Sequence, residues 1–109
     1  MRSGSLVVVH LAQPTEKFWG ILERLAAEGV TVRGINLDSF DDWARGVAQG
    51  EHTLDLTTMF VPMLRVQRVF LDEQVGEVES FGQRFTRMVG MSVESYLGAP
   101  GGDGEGIVS

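Results

Sequence analysis

The side chains with chemistry to offer in this sequence are two histidines, a few groups of acids and four arginines. His10 lies inside the apolar run Leu6-Val7-Val8-Val9-His10-Leu11. An imidazole there has the chemistry of a metal ligand or a general base. It stands alone, however, and a histidine on an apolar strand more often points to solvent or is a satisfied buried group. His52 sits in a polar stretch beside Glu51, with Asp55 three residues on. That spacing permits a surface metal but supplies no second imidazole. Asp38, Asp41 and Asp42 form the densest acidic cluster. Such oxygen ligands suit Ca²⁺ or Mg²⁺. The Asp-x-Asp-x-Asp-Gly loop with its distal Glu is missing, and a helix N-terminus accounts for the acids without a metal. Asp72, Glu73, Glu77 and Glu79 would do acid–base work only if their surroundings split their pKa values. Their turn-like context reads as solvated. The sequence has no cysteine, which removes thiol nucleophiles, thiolate metal sites and disulfides. No serine has a Gly-x-Ser-x-Gly context. The glycines at 98, 101, 102, 104 and 106 follow no strand and open no helix, so they make no phosphate loop. The expectation is a protein with no catalytic residue, no metal site and no cofactor.

The arginines are the least ordinary feature. Eight of the nine cations are Arg, with Lys17 the single Lys. Arg65, Arg68, Arg84 and Arg87 all fall in the second half. Arg84 and Arg87 are one helical turn apart and share a face. Arg65 and Arg68 do not share a strand face by strict alternation. Ion pairing with the surplus acids is the simpler reading; an anion or partner patch is the functional one. Trp19 and Trp43 would serve as interface aromatics if exposed, although the core is the default place for each.

The bulk numbers bound these readings. A chain of 109 residues, 43% hydrophobic, is one domain's worth and can bury a core without staples. Its net charge of −6 argues against nucleic acid as a partner, because neutralising phosphates takes clustered cations. No apolar run approaches the ~20 residues of a membrane span. Met1–Ala12 is too short in its apolar part for a signal peptide and reads as a first strand. The missing cysteines fit a reducing compartment, so a cytoplasmic location is expected.

Leu6–Leu11 predicts a buried strand. Phe18, Ile21, Leu22, Leu25 and Ala26 fall on a helical stripe, with Thr15 as N-cap and Gly29 past the end. The same segment reads as a second strand, with Gly20 marking a bend or close approach. Local propensity favours the helix. Val30–Ile35 is a strand on either reading. Ser39 is the expected N-cap of a helix near 39–49 with Asp42 at its third position. Leu56–Val61 is a strand stopped by Pro62, Met63-Leu64-Arg65 a tight crossover, and Val66–Leu71 the next strand. Ser80 opens a helix with Gln83 at the capping-box position, Gly90 ends it, and Ser92 caps a last short one. Residues 1–97 are expected to form one globular domain and 98–109 a flexible Gly-rich tail.

The run Val7-Val8-Val9-His10-Leu11, then Gly20-Ile21-Leu22, then Val30-Thr31-Val32, with two strands joined closely around Pro62, resembles an Sm-like (SH3-like) small barrel. Glu16-Lys17-Phe18-Trp19-Gly20, Arg33-Gly34-Ile35, Ser39-Phe40-Asp41-Asp42-Trp43 and Phe60-Val61-Pro62 through Leu71-Asp72-Glu73 also resemble a group of uncharacterised bacterial proteins, which implies no particular activity. The resemblance implies an α+β chain: a five-stranded barrel with an inserted helix near 39–49 and C-terminal helices. The alternative is a ferredoxin-like or ACT-like βαβ sandwich. RNA-binding Sm proteins use polar residues in the turn after the second strand and an Arg-Gly step before the last. Here those turns read Ala26-Ala27-Glu28-Gly29 and Pro62-Met63-Leu64-Arg65, so that site does not carry over. Association through exposed strand edges does. Three functions follow: a self-associating or protein-docking module, a small-molecule regulatory domain on the βαβ alternative, or a nucleic-acid binder using the four arginines.

Overall fold

Gly20 decides the path of the chain. The computed structural model describes residues 1–98, and in it Glu16–Ala26 is extended throughout (β2). It pairs antiparallel with Leu6–Leu11 (β1) on one side and Gly29–Asn36 (β3) on the other. Gly20 faces Gly34 across the β2–β3 ladder. A Cβ built on Gly20 would fall within 2.5 Å of the Gly34 Cα and against the Arg33 carbonyl oxygen; one built on Gly34 would strike the Trp19 carbonyl. Only glycine allows this approach. The helical stripe through Phe18–Ala26 is thus overridden by a backbone contact a helix could not make. The ferredoxin-like or ACT-like βαβ alternative falls with it, since β1 and β2 are antiparallel neighbours with no helix between them.

Two further strands complete the sheet. Thr57–Pro62 (β4) pairs with β3, and Val66–Leu71 (β5) pairs with β1. The strand order is β4-β3-β2-β1-β5, entirely antiparallel. No ladder joins β4 to β5 among the described residues, so the sheet is not closed into a barrel. It is strongly curled all the same. Flat, its two edge strands would lie about 19 Å apart. The link between them is the 3₁₀ turn Met63–Arg65, which even fully extended spans at most about 14 Å. Arg65 secures the ends: its guanidinium donates to the carbonyls of Ala12 and Pro14 at 3.3 and 2.8 Å and pairs with Glu16 at 3.1 Å.

The concave face gathers one cluster from all five strands. Val7, Val9, Leu11, Leu22, Val30, Val32 and Val61 are buried in it, and Phe18, Met59, Val66 and Val69 pack against them. Trp19 belongs to the opposite face, being one residue from Gly20. There it meets Phe40 at 5.1 Å and Trp43 at 5.7 Å between ring centroids, the former edge-on. Phe40–Ala48 is the inserted helix, α1. Its start differs from the expectation: Ser39 makes no side-chain cap. The chain arrives already wound in a 3₁₀ turn, Leu37–Ser39, and the capping passes to Asn36, whose Oδ1 accepts from the Asp38 N–H at 2.8 Å. The indole N–H of Trp19 donates to Asp72 at 2.9 Å, satisfying a donor buried on this face.

Contacts divide the chain at Asp72, and the unit from Glu73 onward is described by itself. It carries Phe81–Val89 (α2) and Val93–Gly98 (α3). The capping box is present in full: Gln83 N–H to Ser80 Oγ at 3.0 Å and Ser80 N–H to Gln83 Oε1 at 2.7 Å. Gly90 ends α2 in the left-handed region at φ 93°, and Ser92 accepts from the Ser95 N–H at 3.0 Å. The rings of Phe85 and Tyr96 join the two helices. The Gly-rich tail expected from residue 98 lies outside the described residues beyond Gly98.

The glycine pair sets a stability test. Gly34→Ala forces backbone apart and is expected to cost about 3 kcal/mol in urea unfolding. Gly46→Ala, in α1 with no neighbour nearer than 3.9 Å to its added Cβ, is expected to stabilise by about 0.5–1 kcal/mol. A neutral Gly34→Ala would show that the bend does not depend on this contact.

Candidate interaction surface

Five of the exposed large apolar side chains fall on the two terminal strands and the turn between them: Phe60, Met63, Leu64, Phe70 and Leu71. From Leu56 to Leu64 the chain carries no charge at all. β4 occupies the centre of that stretch, and its outer edge has no strand beside it among the described residues. Phe60 is 56% exposed, and Leu64, in the following 3₁₀ turn, is 100% exposed. Phe60 is held by its neighbours rather than by a pocket: its ring lies over Gly29, where an added Cβ would come within 2.6 Å of it. The Met63 N–H donates to the Glu28 carbonyl at 2.9 Å, which fixes the turn against the β2–β3 hairpin. Phe60, Met63 and Leu64 therefore make a rigid apolar corner beside an open ladder. β5 is the other edge. It exposes Phe70 and Leu71 but carries Arg68 between its apolar residues.

The four arginines have different settings. Arg65 braces the β1–β2 turn, as described above, and is half-buried with its Glu16 partner. Arg68 projects from β5 beside His10, its cross-strand neighbour on β1. In the second unit, Arg84 and Arg87 both reach Glu79. Arg87 grips it with two bonds, of 3.1 and 2.6 Å, and Arg84 stands 3.7 Å away. The Arg87 hydrogen bonds, helped by the charge of both arginines, pull the Glu79 carboxyl below its ordinary value. Trp19 and Trp43 are core residues, 0% and 1% exposed. As surface anchors they would have to leave the aromatic layer.

Of the remaining groups, Asp42 forms an ion pair with Arg45 one turn along α1 at 3.0 Å. Asp38 lies in the 3₁₀ turn before that helix. Asp55 accepts from the Leu56 N–H at 2.7 Å, and Asp72 accepts from Trp19. Among the described residues, no group of three His, Asp or Glu side chains is placed to hold a metal ion. No helix there is long and apolar enough to cross a membrane.

No family model matches the chain, and neither a curated protein nor a solved structure matches it. The surface has to be read from its own geometry. The apolar corner on β4 was missed when the residues were weighed by their chemistry, because Phe60, Met63 and Leu64 have none. The signal was available as the charge-free run between Asp55 and Arg65.

The Glu79 cluster yields a pH prediction. A carboxylate whose folded pKa is depressed adds stability above its unfolded value, and that contribution is lost as pH falls through the folded value. Following the Glu79 side-chain carboxyl by NMR, the midpoint is expected below the ordinary ~4.3 of glutamate, and Arg87→Gln is expected to move it up. An unchanged midpoint in that variant would assign the shift to something other than the guanidinium.

Proposed function

We propose that this chain is a non-enzymatic interaction module, built as an Sm-like small barrel, that self-associates through the free edge of β4. The observation that carries the reading is the uncharged, apolar character of that edge. An unpaired strand is a template for another strand, and proteins that keep an edge single do so with charges, bulges or a cover. The run Thr57-Thr58-Met59-Phe60-Val61 has none of these safeguards and is rich in strand-favouring residues. Pro62 blunts only its end. A second copy is the occupant best supported. Each chain carries the same uncharged β4 edge, so two copies can pair β4 against β4, antiparallel about a two-fold axis. The net charge of −6 opposes contact between copies over most of the surface and does not do so at a neutral strip. On this reading the protein works in a reducing, cytoplasmic setting and needs no cofactor.

Sedimentation velocity over a concentration series tests the proposal. The chain is expected to sediment as a dimer or larger species that falls to monomer in Phe60→Lys/Leu64→Lys. Both side chains are exposed, so the variant is expected to keep its far-UV circular dichroism. A parent chain that remains monomeric at hundreds of micromolar would overturn self-association. A parent assembly unaffected by the double variant would overturn the assignment to β4.

A further inference from the structure

The opposite end of the sheet holds a row of bases that the edge of β4 does not involve. Lys17, His10 and Arg68 are direct cross-strand neighbours: His10 on β1 stands opposite Lys17 on β2 and opposite Arg68 on β5. Residues in register point to the same side of a sheet, so the three side chains leave one face in line. Lys17 and Arg68 are exposed, and the imidazole between them is half-buried. The ring of Phe70 meets the imidazole edge-on at 4.9 Å and limits its rotation. Neither Lys17 nor Arg68 has a carboxylate within ion-pair distance among the described residues; Arg2, Arg24 and Arg33 share that setting, but Lys17 and Arg68 alone flank a third base in register.

That juxtaposition runs against the chain's composition. With fifteen acids to nine cations, a carboxylate for every arginine is easily supplied. Instead, two positive charges are set on either side of a third base. Burial depresses the proton affinity of His10, and the positive charges of Lys17 and Arg68 lower it further. An anion seated on the row would relieve that repulsion, drawing two fixed charges and, below neutral pH, a third.

We propose that Lys17, His10 and Arg68 form an anion-binding row that takes a phosphate group. Phosphate offers oxygens to all three donors at once, with Arg68 supplying two parallel N–H groups and Lys17 a point charge. The same chemistry is presented by a free phosphorylated metabolite and by the backbone of a single-stranded nucleic acid, and the two are separated by the probe. The row lies on β2, β1 and β5 and does not rest on association through β4.

Linkage supplies the readout. Binding that favours the charged imidazole must raise its pKa by the same free energy. The His10 ring signals of the full chain are followed by NMR against pH in inorganic phosphate, in adenosine monophosphate and with a single-stranded oligonucleotide, each at ionic strength matched with chloride. The His10 midpoint is expected to rise by about half a pH unit or more over the chloride reference, and the rise is expected to disappear in Lys17→Ala/Arg68→Ala. A rise with inorganic phosphate or the monophosphate supports the free phosphoryl source; a rise with the oligonucleotide alone supports the backbone source. The proposal is overturned by no rise with any probe, or by a rise that survives the double variant. Both substitutions are on exposed side chains, and circular dichroism of the variant checks that it folds.

Discussion

Everything in the first unit depends on two glycines meeting across a ladder. The contact between Gly20 and Gly34 lets β2 and β3 approach where side chains would hold them apart. Such an approach permits a sharp bend, and curvature of the sheet is required: β4 and β5 occupy opposite edges yet are joined by three residues. The curl then wraps one face around Val7, Val9, Leu22, Val30, Val32 and Val61. The same bend places Trp19 on the outside of the curve, where Phe40 and Trp43 of α1 cover it. Core, aromatic layer and open edges are consequences of one close approach.

Much of this was legible, and what was not has a common cause. Strand limits at β1 and β5, the short crossover at Met63–Arg65, the capping box at Ser80 and the stop at Gly90 are local: each depends on residues within one turn or one strand; β4 runs one residue later than Leu56–Val61 and takes in Pro62 rather than stopping before it. The state of Phe18–Ala26 is not local. Its apolar spacing satisfies a helix, and only Gly34, fourteen residues from Gly20, shows why it is a strand. Ser39 illustrates the same point on a smaller scale. A good N-cap residue stands beside a helix start, but the preceding turn has already set its backbone to a conformation that cannot cap. The Lys17–His10–Arg68 row was also hidden, because it exists only through the register of β5 on β1.

Charge alone does not hold this fold. The ion pairs of Asp42 with Arg45 and of Glu79 with Arg84 and Arg87 are partly or largely exposed, and pairs of that kind contribute little to stability. Arg65 is different because it replaces hydrogen bonds the β1–β2 turn does not make for itself, reaching two carbonyls and one carboxylate. It acts as a clamp between β5's start and β2's start. An arginine that looked like part of a surface patch in sequence has a structural task in three dimensions.

The two sheet edges are best understood against each other. β5 places Arg68 in the middle of its exposed residues, and a buried or desolvated guanidinium there would penalise a neighbouring strand unless that strand brought an anion. β4 has no such residue over its whole length, and the uncharged run continues through the turn to Leu64. The chain has enough charged residues, 22% of the total, to have marked both edges. It marks one. An edge strand that stays in water has no use for an exposed Phe60 beside an unprotected ladder, and a Leu64 without any contact on its side chain is a liability in the free monomer. On the proposed reading a second strand covers these residues, and the asymmetry between the edges assigns the side of the sheet from which it approaches.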